Sequence, residues 1–399
     1  MISTRLLAGL PREVKVLVSA SFFVALGFGI IIPAMPLFAK SFGVNNSAVG
    51  LIVSMFAIAR FSSGLVSGKF VDLFGERIVF AIGITMVSVS ALLCALAQSY
   101  AQLLLFRTAG GLGSSMFSVA AGSIIMRSVS DEQRGRAQSI YNGSFLVGGI
   151  TGPAVGGLIS AVSLRAPFFI YSGTLLCSGT IGFFFLTTGR SRTKKVEADS
   201  NAMRISEAIK LRPYQIALTL SFVTNWVLFG LRTSILPLFV TEDLHSTTTV
   251  VGIGFTIAAL LQGLLLLPAG NLSDRKGRPA SLKIGTTVVL AGTLLLTFAV
   301  HPWMYLVSMG VVGLGGAFLS TAPANIVADV IRGKSGQVIA LWQMAGDAGM
   351  IVGPITVGIL ADLFSFRMAF LVTAIVFSIA VFAAFTLGET RKSHLNKAS

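Results

Sequence analysis

Apolar runs of about twenty residues recur along the whole chain, and a run of that length can cross a hydrocarbon core of about 30 Å. In lipid every backbone polar group must be satisfied within the protein, so only helices and closed barrels span a membrane. These runs are too long and too continuously apolar for tilted barrel strands. Twelve helices are expected, over 14–38, 47–70, 78–97, 101–126, 137–160, 166–187, 214–240, 248–271, 280–300, 302–329, 336–361 and 367–388. The composition agrees: 11% of residues are charged, where a soluble domain carries about a quarter.

The chain also says nearly the same thing twice. Met35-Pro36-Leu37-Phe38 returns as Leu236-Pro237-Leu238-Phe239. Gly68-x-x-x-Asp72-x-x-Gly75-x-Arg77 returns as Gly270-x-x-x-Asp274-x-x-Gly277-Arg278. Gly111-Leu-Gly113 returns as Gly313-Leu-Gly315, and Gly152-Pro153 as Gly353-Pro354. The offsets are 201, 202, 202 and 201. Four matches in one order at a near-constant offset predict two copies of one six-helix unit, 1–187 and 214–399, facing each other across a path. The charged stretch 188–213 falls where the repeat restarts and reads as a cytoplasmic linker. Met203, Ile205, Ile209 and Leu211 alternate there with charges, which fits either a short interfacial helix or a charged tether.

The net charge of +15 raises the question of nucleic acid. Its placement answers it. With the N-terminus inside, 24 of the 30 Lys and Arg fall on cytoplasmic segments, three (Lys40, Arg165, Arg367) fall outside, and three lie within helices. This asymmetry predicts a multi-pass protein of the cell (inner or plasma) membrane with both termini cytoplasmic. Basic residues spread over short loops make no nucleic-acid surface. Cys94 and Cys177 sit in apolar helices without metal-ligand spacing, and the three histidines are scattered over loops and tail, so neither a metal, a cofactor nor an enzyme site is expected.

The repeated loop Gly68 to Arg77, with its copy Gly270 to Arg278, resembles the loop signature of the major facilitator superfamily. Leu26-Gly27-x5-Pro33-x-x-Pro36 in the first span is similar to the first-helix motif of its twelve-span drug:proton antiporters. Arg107-x-x-Gly110-Gly111-x-Gly113 resembles their fourth-helix motif, with Gly110 where glutamine is common. Gly148-x-x-x-Gly152-Pro153-x-x-Gly156-Gly157 matches their fifth-helix antiporter motif. The resemblance covers the whole chain. It implies two pseudo-symmetric bundles of six helices, with Asp72 meeting the start of span eleven and holding the cytoplasmic side closed. It also sets spans two and eleven face to face.

The chemistry of these residues can be stated on its own. The loop glycines permit a tight turn. An aspartate beside a helix start accepts its free N–H groups and opposes the dipole. Gly148, Gly152 and Gly156 share one helix face and admit a neighbouring backbone, while Pro153 removes a hydrogen bond and allows a bend. The same pattern stands at Gly349, Gly353, Pro354 and Gly358, so a pivot is expected at these glycines and at Pro33 and Pro36.

Charges deep in the spans are functional candidates by default. They are Arg60, Arg107, Arg232 and Asp347, and Asp347 is the only carboxylate far from a helix end. Related exporters often carry an acid in span one or four. Here none lies between Glu13 and Asp72 or between Glu76 and Asp131, which shifts the expected proton site to Asp347, with Arg60 as its partner and Arg107 as a further coupling residue. Tyr141, Asn142, Asn225, Gln262, Trp342 and Gln343 are the polar candidates to line a substrate cavity among apolar walls. The resulting expectation is a monomeric secondary transporter exchanging a small amphiphilic compound for protons across the bilayer. A sugar or metabolite exporter of the same fold, or a transporter-like sensor, are the alternatives.

Overall fold

The computed structural model describes residues 9–129, 131–186, 203–320, 322–330 and 336–390. Among them, twelve helices are long and apolar enough to cross a membrane. They are Arg12–Ile31, Asn46–Phe74, Glu76–Leu96, Tyr100–Ser128, Arg136–Val162, Ala166–Phe185, Arg212–Asp243, Thr248–Lys276, Arg278–Thr297, Pro302–Val330, Gln337–Leu363 and Phe366–Thr386, called here spans one to twelve. The fold is all-helical, as the apolar runs require.

Local chemistry sets the helix ends. Ser99 and Ser365 cap spans four and twelve by accepting the backbone N–H groups of Gln102 and Met368 at 3.3 and 3.2 Å. Prolines stand in the first turn of spans six, seven, nine and ten, where a missing N–H costs nothing. Gly75 and Gly277 adopt φ of +82° and +95°, so each repeated loop turns through a conformation that favours glycine. A Cβ on Gly68 or Gly270 meets nothing within 4 Å, so no close approach requires glycine at those two positions.

The chain forms two compact units. The first comprises 1–44 and 55–194, the second 45–54 and 195–399. In the first, spans one and five lie backbone to backbone. A Cβ on Gly148 would stand 2.7 Å from Leu26 N, one on Gly152 2.6 Å from Gly29 Cα, and one on Gly156 2.8 Å from Ile30 C. Gly83 and Gly113 bring spans three and four equally close. Span one ends at Ile31, and Pro33 caps a separate short helix, Ala34–Lys40, that holds Pro36.

The second unit repeats the plan. A Cβ on Gly349 would stand 2.9 Å from Phe222 C, and one on Gly230 2.7 Å from Gly353 C, which seats span eleven on span seven. The opening of span two belongs to this unit. Gly50 lies against the Pro354 carbonyl and Gly358 against Asn46. The Asp362 carboxylate accepts the backbone N–H groups of Asn46 and Ser47, both at 2.8 Å. That caps a helix start with a full negative charge.

One feature lay outside the sequence expectation, and the linker's described end takes the first of its two expected forms, a short helix. Span seven is π-helical over Trp226–Ile235 and again over Phe239–Asp243, on either side of Pro237. The expected linker lies mostly outside the described residues. Its described end holds a four-residue helix, Ile205–Ala208, and Met203 and Ala208 pack into the core of the second unit beside Tyr214 and Val338.

The span-one contact can be tested by adding one methyl group. Gly152→Ala is expected to lower the thermal midpoint of the purified protein by several degrees, since overpacking costs about 1–3 kcal/mol. Gly149→Ala, whose Cβ meets nothing within 4 Å, is expected to leave it unchanged. A fluorescence-monitored melt reads both, and equal midpoints would contradict the close contact.

Candidate functional site

A cavity of about 370 Å³ lies inside the second unit, lined by spans seven to twelve. Its apolar wall is led by Leu and Val, with Met309 and Phe377. Three of the polar residues singled out in the sequence line it: Asn225, Gln262 and Trp342. Gln262 donates to Ser320 Oγ at 2.9 Å, and Asn225 donates to the Ser221 carbonyl at 2.9 Å. Trp342 Nε1 and Thr224 Oγ1 are buried without a hydrogen-bond partner among the described residues, and both residues belong to the cavity wall.

The remaining expected residues fall elsewhere. Tyr141 is half-buried in the first unit, its ring edge-on to Phe145 at 5.3 Å. The side chain of Asn142 lies outside the described residues. Gln343 is exposed and is not part of the cavity wall.

The charges within the spans have distinct settings. Arg107 is buried, with its guanidinium 4.2 Å from the centre of the Phe56 ring and the Tyr171 phenol beside it. A cation on an aromatic face recovers part of the cost of leaving water. Arg60 is exposed in the first unit, near Tyr141. Arg232 stands in the π-helical stretch of span seven, 5.2 Å from the centre of the Phe255 ring, and reaches the cavity. Asp347 is half-buried between Gly346 and Gly349, the two glycines that press span eleven onto Asn225 and Phe222 of span seven.

The repeated loops are each tied into their own unit. Asp72 is exposed. The residues just before span eleven, 331–335, lie outside the described residues. Arg77 donates to the Phe183 carbonyl at 2.7 Å and covers the Phe183 ring. In the second copy, Arg278 pairs with Asp274 at 2.7 Å and with Asp329 at 3.2 Å.

The same geometry exposes a pairing that sequence reading missed. Glu76, 1% exposed, pairs with Arg127 at 3.1 Å and accepts from Ser123 Oγ at 3.3 Å. The equivalent positions 202 residues on are Arg278 and Asp329, paired with the charges reversed. Each pair joins the start of one span to the end of the next. Nothing local marks it, because the partners are 51 residues apart in both copies.

The sequence pattern of the Major Facilitator Superfamily matches residues 17–235 and matches again over 218–399. The chain belongs to the major facilitator superfamily. An uncharacterised MFS-type transporter of Methanocaldococcus jannaschii is 25% identical over 379 residues, covering 93% of this chain and 97% of that one. Multidrug resistance protein 2 of Bacillus subtilis is 25% identical over 88% of this chain and 90% of its own length. Quinolone resistance protein NorA of Staphylococcus aureus is 23% identical with the same coverage. Among solved structures, a bacterial homologue of the human lysosomal transporter Spinster superposes with a TM-score of 0.75 at 15% identity, covering 94% of this chain and 96% of that one. The nucleoside transporter NupG gives 0.71 at 14% identity, covering 94% and 100%. Superfamily membership makes the chain a secondary transporter of small molecules and not an enzyme.

In this transporter the reversed pairs predict a charge-swap rescue. Glu76→Arg alone sets a buried cation beside the partly exposed Arg127 and is expected to lower the thermal midpoint. Adding Arg127→Glu is expected to restore most of the lost thermal stability, with a coupling of about 1–3 kcal/mol across the double-mutant cycle. Additive effects of the two changes would show that the pair contributes no specific energy.

Proposed function

We propose that the protein exports small amphiphilic compounds in exchange for protons, by alternating access, with both termini in the cytoplasm. The cavity in the second unit holds the substrate, through Asn225, Gln262 and Trp342 on an apolar wall. Such a surface suits ligands fixed by few polar contacts. The relatives named as multidrug and quinolone resistance proteins support this substrate class.

The observation that carries the reading is the position of Asp347. By sequence it is the one carboxylate far from a helix end, and in span eleven it adjoins Gly346, which packs against Ser221 and Asn225 of span seven. A carboxylate moved between a wet and a dry setting takes up or releases a proton as it moves, because desolvation penalises the charged form. Protonation and helix displacement then become one event. Arg60 and Arg107, the cations within the spans of the first unit, are the proposed electrostatic counterparts. Asp72 and Asp274, with the glycines and arginines of their loops, act as the cytoplasmic latch. Pro33, Pro36, Pro153 and Pro354 let the close-packed spans bend. The protein works as a monomer.

Asp347→Asn tests the assignment in proteoliposomes loaded with ethidium or 8-anilino-1-naphthalenesulfonate, whichever the wild type moves. Uphill transport driven by a pH gradient is expected to fall to background, while exchange of labelled for unlabelled dye persists within about twofold. Uphill transport at the wild-type rate would remove Asp347 from the coupling mechanism.

A further inference from the structure

The cavity in the second unit is electrostatically incomplete. Among the described residues that line it, Arg232 is the one charged group. No carboxylate among the described residues pairs with it; the Phe255 ring lies 5.2 Å away and the Tyr305 phenol stands near it. A guanidinium stays protonated at any pH a protein tolerates, so the site cannot escape its charge by titration. An aromatic face offsets a cation only partly, by about 0.5–2 kcal/mol. The cavity also holds two buried polar atoms without partners, Trp342 Nε1 and Thr224 Oγ1. The indole nitrogen is a donor only, and the hydroxyl is free to donate. Positive charge and unused donors thus converge on a pocket whose walls are apolar and carry no acid.

We infer that this cavity selects organic anions: a carboxylate, sulfonate or phenolate head seated on Arg232, with a flat apolar body lying along Trp342 and the leucine and valine wall. This rests on the reading that the cavity is the substrate site, and it narrows amphiphilic substrates to one sign of charge. Lipophilic cations are disfavoured, since a fixed like charge without a screening acid repels them in a low dielectric. The volume of about 370 Å³ lies near the lower end of small-molecule pockets, about 300–1,000 Å³, and suits a two- or three-ring compound better than a phospholipid. The membrane potential favours the assignment, because an interior-negative cell drives an anion outward by about 2.3 kcal/mol per 100 mV. The π-helical stretch is the local device. It adds a residue per turn near Trp226–Ile235, and such stretches recur where a helix must re-aim a functional side chain.

The test uses a ligand pair of one shape and opposite charge, 2-naphthalenesulfonate and 2-naphthyltrimethylammonium, titrated calorimetrically into the purified full-length protein. The wild type is expected to bind the sulfonate at least about tenfold more tightly, a difference of about 1.4 kcal/mol. Arg232→Gln is expected to erase that preference and Arg232→Lys to keep part of it, each checked for a monodisperse elution profile. Equal or tighter binding of the ammonium compound by the wild type overturns the inference, whether or not the Gln variant folds. So does an unchanged preference in a folded Arg232→Gln protein. Gly316→Phe separates this from failure of the substrate-site reading. A Cβ there would stand 3.5 Å from Gln262, so the ring fills the cavity. If Gly316→Phe abolishes binding but the two ligands bind alike, the charge selectivity fails and the cavity remains the binding site. If both ligands still bind to Gly316→Phe, the cavity is not the site and both readings fall.

Discussion

Backbone contact at glycine holds each unit together. Lipid tails are as apolar as leucine, so burying apolar side chains gives helices little reason to associate in a membrane. Association comes from dispersion, which falls away steeply with distance. Gly148, Gly152 and Gly156 remove the side chains that would keep spans one and five apart, and Gly29 does the same from the other side. Gly349, Gly353 and Gly230 repeat the arrangement between spans eleven and seven. Proline follows glycine in both seams, at Pro153 and Pro354. Each seam therefore combines a close backbone approach with a weakened hydrogen-bond ladder.

Charge is placed with respect to these seams. Asp347 adjoins Gly346, one of the glycines that seat span eleven on span seven, and Arg232 lies on the π-helical part of span seven. In the proposed mechanism, displacement along that contact acts on a carboxylate and on the cavity together. At the membrane surface, ion pairs close each unit: Glu76 with Arg127, and Arg278 with Asp274 and Asp329. A glutamate at a helix start suits the dipole, whereas an arginine there opposes it. Arg278 is accordingly matched by two carboxylates where Glu76 has one cation and a serine. Duplication kept the pair and allowed its signs to exchange.

The spans were legible because hydrophobic length is a local property of sequence, and the expected helices lie within a few residues of their observed places, except that the first, expected unbroken over 14–38, stops at Ile31 and restarts after Pro33. The turns at Gly75 and Gly277 were legible because a left-handed backbone has a residue preference. Other features depend on distant partners and leave no local mark. Asp362 caps a helix start 316 residues away, and Glu76 meets Arg127 only after the chain has crossed the membrane twice. The π-helical stretch has no hydrophobic period of its own, so span seven read as an ordinary helix around Pro237. Asn225, Gln262 and Trp342 were found as polar residues in apolar runs, and the same signal raised Gln343, which is exposed. Arg232 was visible as a deep charge. That no described acid lines its cavity was not, because the neighbours of a side chain are a fact of packing.

Coupling of substrate to protons is the central claim, and proton movement caused by substrate alone tests it most directly. Proteoliposomes containing a trapped pH dye, with equal pH on both sides, receive an outward gradient of whichever of ethidium and 8-anilino-1-naphthalenesulfonate the protein moves. The account predicts that the lumen acidifies as the dye leaves, and that Asp347→Asn abolishes this acidification. Substrate efflux with no change in lumenal pH would contradict it.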